Sequence, residues 1–147
     1  MSSRLNNDKW QTAQIHNSHI WFDKSLISKV EQNWFHPEHW QKIGAVTGES
    51  KGRYTTYFVR TEGVNNQPVD MVLRHYYRGG LISKLSKRSF IFTGLHKARA
   101  YQELLMLSQM RELELPVPRP IAAQVIKNKP WSCQNDILIE RIDGAQD

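Results

Sequence analysis

The sequence predicts an α+β fold, a mostly antiparallel five-stranded sheet with one long helix on one face, preceded by an amino-terminal extension. Three observations carry this. Val69, Met71, Leu73 and His75 alternate with Asp70, Val72, Arg74 and Tyr76 before Gly79-Gly80, the period-two pattern of a strand broken by a turn. Further on, Ala98, Tyr101, Leu104, Leu105 and Met110 recur at helical spacing with Glu103 in their midst. Finally, Ile121 to Ile126 and Asp136 to Ile142 read as two strands around the turn Lys127-Asn128-Lys129-Pro130.

In chain order, Met1 to Asn7 is polar and loose. Residues 1–42 form the extension. Within it, Thr12 to Phe22 suggests a small hairpin around Asn17-Ser18, set before the main sheet. Asp23 is placed to cap a helix over Lys24 to Asn33, with Leu26, Ile27, Val30 and Trp34 on one face. Trp34, Phe35 and Trp40 flank the turn at His36-Pro37 and are read as packing against the sheet. His36 and His39 are three apart, but no third ligand accompanies them, so a metal is not assigned.

Residues 43–147 form the sheet and helix unit. Gly44 to Val59 reads as a strand, a glycine-bearing turn and a second strand. Gly48, Lys51, Gly52, Arg53 and Tyr54 lie in or beside that turn, where exposed N–H groups and glycines let backbone approach phosphate oxygens. Gly48 and Gly52 equally suit an ordinary hairpin. Thr61 to Pro68 is a turn-rich connector, and Val69 starts the central strand. Thr93 is the expected N-cap of a helix from Gly94 to Leu113, which Pro116 ends. LPVPRP, Leu115 to Pro120, is an extended link. Glu103 has two candidate partners, Arg74 on the strand and Arg99 one helical turn earlier.

Composition narrows the chemistry without choosing it. The 147 residues suit a domain with a modest core, and a net charge of +6 favours anionic partners: nucleotide, nucleic acid or acidic membrane. The single Cys133 excludes an internal disulfide, fits a reducing compartment and reads as a buried strand residue. No apolar run is long enough to span a bilayer, and MSSRLNNDKW lacks the apolar core of a signal peptide. Arg78, Lys84, Lys87 and Arg88, interleaved with Leu81, Ile82, Leu85 and Phe90, make a basic segment suited either to an anionic lipid surface or to a solvated connector.

A strand cation facing a helix carboxylate is what phosphotransferases of the kinase type use to hold nucleotide phosphates. The run VLRHYYRGGLISKLSKRSFIFTGLHKARAYQELLMLSQMRELELPVPRPIAA resembles the Kdo kinase family, which phosphorylates 3-deoxy-D-manno-octulosonic acid in the inner core of lipopolysaccharide. The resemblance runs from about Trp40 onward, and it implies the amino-terminal lobe of a protein-kinase-like fold ending at the hinge. Arg74 in VLR then takes the place of the lysine in the VAIK pattern, with Arg78 as competitor, and Glu103 holds it. The turn from Gly48 to Tyr54 covers the phosphates, with Tyr54 where the family's loop carries a glycine. ILIERIDG resembles the hinge, so the Glu140 carbonyl and the Ile142 N–H are expected to meet the adenine edge.

The cofactors so implied are ATP and Mg2+, and the acceptor is a Kdo-lipid A precursor at the cytoplasmic face of the inner membrane of a Gram-negative bacterium, with peripheral contact to anionic lipid. The catalytic aspartate and the metal ligands are expected in a second lobe, so no catalytic residue is assigned here and this chain alone is expected to be inactive. A related heptose or protein kinase-like lobe shares all these features. The other class of reading is a non-catalytic basic module binding RNA or acidic lipid, with Tyr76 and Tyr77 stacking beside Arg74 and Arg78.

Overall fold

A computed structural model describes residues 5–51, 55–76, 90–91, 94–129 and 132–142. The strands are β1 (Trp10–Ile15), β2 (Ser18–Asp23), β3 (Val46–Lys51), β4 (Thr55–Glu62), β5 (Pro68–His75), β6 (Phe90–Ile91), β7 (Pro120–Lys129) and β8 (Ser132–Glu140). The helices are α1 (Pro37–Lys42) and α2 (Arg99–Glu112), with 3-10 turns at Gln32–Phe35, Val64–Asn66 and Leu95–Lys97. Seven strands form one antiparallel sheet in the order β1-β2-β7-β8-β5-β4-β3, and β6 adds two residues against β8.

The five expected strands are present as β3, β4, β5, β7 and β8, with α2 between the third and fourth of them, but the sheet is larger than five. The expected small hairpin is β1 and β2, and it is built into the sheet: Ser18 to Phe22 pair with Ile126 to Ala122 of β7. The physical reason is burial on both faces. Ile20, Trp21 and Phe22 are all buried, which a strand achieves only with neighbours on each side and layers above and below.

The helix expected over Lys24 to Asn33 does not form. Asp23 turns the chain once, its carboxylate accepting from the N–H and hydroxyl of Ser25. The carbonyl of Leu26 then accepts the N–H of Val64, which removes it from any helical ladder. Only the 3-10 turn at Gln32–Phe35 and α1 follow.

The sheet has two covered faces. One carries Ile20, Phe22, Met71, Leu73, Ala122 and Leu138, and Ile27, Val30, Phe35 and Trp40 of the amino-terminal segment pack on it. The other carries Trp21, Ala123, Val125 and Ile137, and receives Tyr101, Leu104 and Leu105 of α2. Burying these two sets is the main stabilising term. The long helix matches the expected one in place, although it starts at Arg99 after a 3-10 turn; the expected cap at Thr93 lies outside the described residues. No described helix is long and apolar enough to cross a membrane.

Candidate functional site

Strand period places Arg74, Val72 and, across the ladder, Phe58 on the α2 side of the sheet, since Phe58 pairs with Val72 and Arg74 with Ile137. Glu103 lies one turn into α2 and looks back at that row. Arg74 Nη2 donates to Glu103 Oε2 at 2.6 Å. Of the two candidate partners of Glu103, the strand arginine is thus the one engaged; Arg99 lies over the Tyr76 ring, 5.5 Å from its centroid. Arg74 also faces that ring, at 5.7 Å. Its side chain is 41% exposed, so the guanidinium keeps an open side while one carboxylate oxygen fixes it. Arg78 lies outside the described residues.

Two residues before Arg74 on the same face, about 7 Å along the strand, Val72 lines a small cavity of about 50 Å³ with Phe58, Pro118, Ile139, Glu140, Arg141 and Ile142. Met71 and Glu140 are opposite one another, and the N–H of Arg141 reaches the carbonyl of Asp70 at 3.0 Å. The N–H of Glu140 instead points away from β5, to the carbonyl of Arg119 at 2.8 Å. In extended backbone the carbonyl of the same residue projects to that side as well. Ile142 follows at the end of the strand, 42% exposed, and its N–H has no backbone partner among the described residues.

Gly48 of β3 pairs with Phe58, the aromatic wall of this cavity. A register shift between Val46 and Gly48 bulges β3, and a Cβ at Gly48 would lie 3.0 Å from the Phe58 ring. A larger residue there would press on the Phe58 ring, which would have to shift to make room. Lys51 ends β3 opposite Thr55. Gly52, Arg53 and Tyr54 lie outside the described residues.

Some site residues escape the sequence reading. Arg141 places its guanidinium 4.2 Å from the Phe58 centroid and reaches Thr47 Oγ1 at 3.4 Å, closing one side of the cavity. Asn135, fully buried in β8, accepts the N–H of Ala100 at 2.9 Å. Its neighbours Gln134 and Asp136 are polar as well, so nothing in the local sequence marks Asn135 out; its burial is what requires its amide to have partners. On the opposite face a buried carboxylate, Asp136, meets His75 Nδ1 and accepts from Gln124 Nε2 at 3.2 Å.

Burial and the weaker Lys127 charge together lower the pKa of His19, while burial raises that of Cys133 against the opposing bond from Asn135. Neither group borders the cavity beside Val72.

The arrangement offers a cation held by a carboxylate, a slot with apolar walls beside it, and backbone polar groups at the slot's rim. Apolar walls suit a planar base, rim groups suit its hydrogen-bonding edge, and a fixed guanidinium suits phosphate oxygens.

Comparison with known proteins gives the family. A family model described as "Lipopolysaccharide kinase (Kdo/WaaP) family" matches residues 37–147. The chain is 46% identical over 130 residues to the 3-deoxy-D-manno-octulosonic acid kinase of Haemophilus influenzae strain PittEE, an overlap covering 86% of this chain and 51% of that protein. It is 40% identical over 137 residues to the enzyme of the same name from Vibrio cholerae serotype O1, covering 93% and 56%. With that of Photobacterium profundum it shares 39% identity over 131 residues, covering 89% and 53%. The chain therefore spans about half the length of the curated relatives it matches. No solved structure matches it.

Proposed function

Because this chain belongs to the lipopolysaccharide kinase (Kdo/WaaP) family, we propose that it is the nucleotide-holding lobe of an enzyme that transfers the γ-phosphoryl group of ATP to a Kdo hydroxyl in the lipopolysaccharide inner core. The single observation that supports this most is the 2.6 Å contact between Arg74 and Glu103, beside a slot ending at Glu140 to Ile142.

In this reading ATP is held as follows, its base lying against the open side of the small cavity and not enclosed by it. Val72, Phe58 and Ile139 flank the adenine, the Glu140 carbonyl and Ile142 N–H meet its polar edge, and Arg74 contacts the phosphates. Glu103 holds the guanidinium so that its positive charge is already in place when charge builds on the transferring group; such preorganisation is what stabilises a transition state. Gly48 and Lys51, with Gly52, Arg53 and Tyr54 that lie outside the described residues, are proposed from the sequence to contact the phosphates. Arginine in place of the usual lysine offers phosphate and carboxylate two edges of one planar fork. Magnesium, when bound, neutralises phosphate charge. Its ligands and the aspartate that positions the acceptor hydroxyl belong, in this proposal, to the half of the relatives' length that the overlap leaves uncovered.

The acceptor is a Kdo-lipid A precursor, and the place of action is the cytoplasmic face of the inner membrane, where such a precursor presents its sugar. The basic segment from Arg78 to Arg88, outside the described residues, is proposed as the peripheral contact with anionic lipid.

The test is direct. The full-length protein is incubated with ATP, magnesium and Kdo-lipid A precursor, and the lipid product is read by mass spectrometry. Gain of one phosphate on a Kdo residue is the expected result. Phosphate appearing on a heptose or a protein instead, or no transfer with nucleotide failing to raise the melting temperature, overturns the reading.

A further inference from the structure

Resting on that reading, we propose that Asn135 is the positioning residue that brings Arg74 and Glu103 into contact, by holding the strand of one and the helix of the other.

The first N–H groups of a helix have no partner within it. Helix α2 begins after Ala98, which has no side chain able to cap, and no side-chain cap bond is made there. The oxygen comes instead from across the fold: Asn135 Oδ1 accepts the N–H of Ala100 at 2.9 Å. The amide's other end is turned to Cys133 Sγ, with Nδ2 donating at 3.7 Å, so its oxygen faces the helix. The same residue's carbonyl accepts the N–H of Tyr76 at 3.1 Å.

Both partners of the ion pair are therefore close to one anchor. Ala100 and Glu103 are three apart and share a helix face; Tyr76 and Arg74 are two apart and share a strand face. Pairing of β5 with β8 fixes Arg74 but makes no hydrogen bond to α2, which is held on the sheet by the packing of Tyr101, Leu104 and Leu105. The Asn135 side chain supplies what pairing lacks, a directional bond to the first turn of the helix. Asn135 is fully buried, so an outward shift of α2 leaves an amide oxygen and a backbone N–H without partners in a dry site. Arg99 and Arg74, both over the Tyr76 ring, draw the same two elements together at the adjacent position.

The experiment compares Asn135→Ala, which removes the acceptor, with Asn135→Asp, which keeps one, in the full-length protein. The alanine variant is expected to lose about tenfold in kcat with the KM for acceptor unchanged, and aspartate to restore most of it. Combined with Glu103→Gln, the alanine change is expected to add no further loss, because the pair it positions is already gone. Retention of kcat by Asn135→Ala, losses that multiply in the double variant, or aspartate no better than alanine overturns the proposal.

Two readouts stand apart from activity. In the unaltered protein the Ala100 amide is expected to exchange with solvent as slowly as the strand amides and more slowly than that of Arg99; equal, rapid exchange overturns the cap even if the alanine variant fails to fold. The carboxyl carbon shift of Glu103 is expected to move toward that of an unpaired glutamate in Asn135→Ala. A protein with no phosphotransfer sinks the kinase reading alone, and these two signals still decide the positioning role.

Discussion

Replacing Glu103 by glutamine separates function from folding most sharply. The substitution keeps the shape and one acceptor oxygen but removes the charge that faces Arg74 at 2.6 Å. The pair lies at the rim, with side chains 41% and 25% exposed, so water screens it well below the low-dielectric limit. Stability is expected to fall by about 1 kcal/mol, a drop in melting temperature of roughly 3 °C for a chain of this size. In the full-length protein, on the function proposed above, activity is expected to fall much further, by about a hundredfold or more in kcat/KM, because a guanidinium without its carboxylate no longer presents its charge in one place. A hundredfold corresponds to about 2.7 kcal/mol of barrier, which exceeds the folding cost and so identifies a role beyond structure. Thermal melts by circular dichroism give the first quantity, and initial rates of ATP-dependent phosphorylation of the Kdo-lipid A precursor give the second. A variant that keeps its rate within about threefold, or one whose rate and stability collapse together, refutes the assignment of Glu103 as the residue that orients Arg74.

Other outcomes follow from packing and charge. Gly63→Ala puts a Cβ 2.5 Å from the Leu26 carbonyl oxygen and 2.7 Å from Val69 Cγ2, so it is expected to cost about 1–3 kcal/mol in urea unfolding; an unchanged midpoint contradicts that packing. Asp23→Ala removes a fully buried carboxylate that meets Lys9 at 3.6 Å, Arg119 at 3.3 Å and the Ser25 hydroxyl at 2.5 Å, and it is expected to cost about 3 kcal/mol by the same assay, with an effect under about 1 kcal/mol counting against it. For His19 the folded pKa lies below the ordinary value because burial disfavours the charged ring, with Lys127 adding repulsion. Its contribution to stability is therefore complete above the unfolded pKa and is lost as pH falls through the depressed folded value. Ring titration by nuclear magnetic resonance is expected to show this depression, and Lys127→Met to relieve only the smaller part of it; full relief would make charge, not burial, the main cause.

The helix of Glu103 is legible from its period, and the strand of Arg74 from its β-forming residues and the glycine pair after it, although Met71, Val72 and Leu73 are all buried and the strand has no exposed face there. Their meeting is not contained in spacing, which offers Arg99 to Glu103 just as readily; it follows from the way α2 packs across the sheet. The hairpin was harder to place, since SHIWFD is buried on both sides and so lacks the alternation that marks a half-covered strand. The segment after Asp23 carries helical spacing in Leu26, Ile27 and Val30, yet buries these residues in an irregular path because the Leu26 carbonyl is claimed by Val64. Asn135 and Asp23 draw their roles from partners distant in sequence, Ala100 and Arg119 among them, and local pattern cannot reveal such bonds.

The family match begins at residue 37, whereas β2 lies before it and hydrogen-bonds along β7. Trimming a chain to that boundary would strip a row of backbone donors and acceptors from the flank of β7 and uncover the Tyr101 ring, whose centroid is 4.9 Å from that of Trp21. A flank of that kind recruits any extended polypeptide it meets, including its own copies. The hairpin thus moves the sheet's open edge from β7 to the six-residue β1, and shortened versions are expected to associate more readily, as light scattering would read.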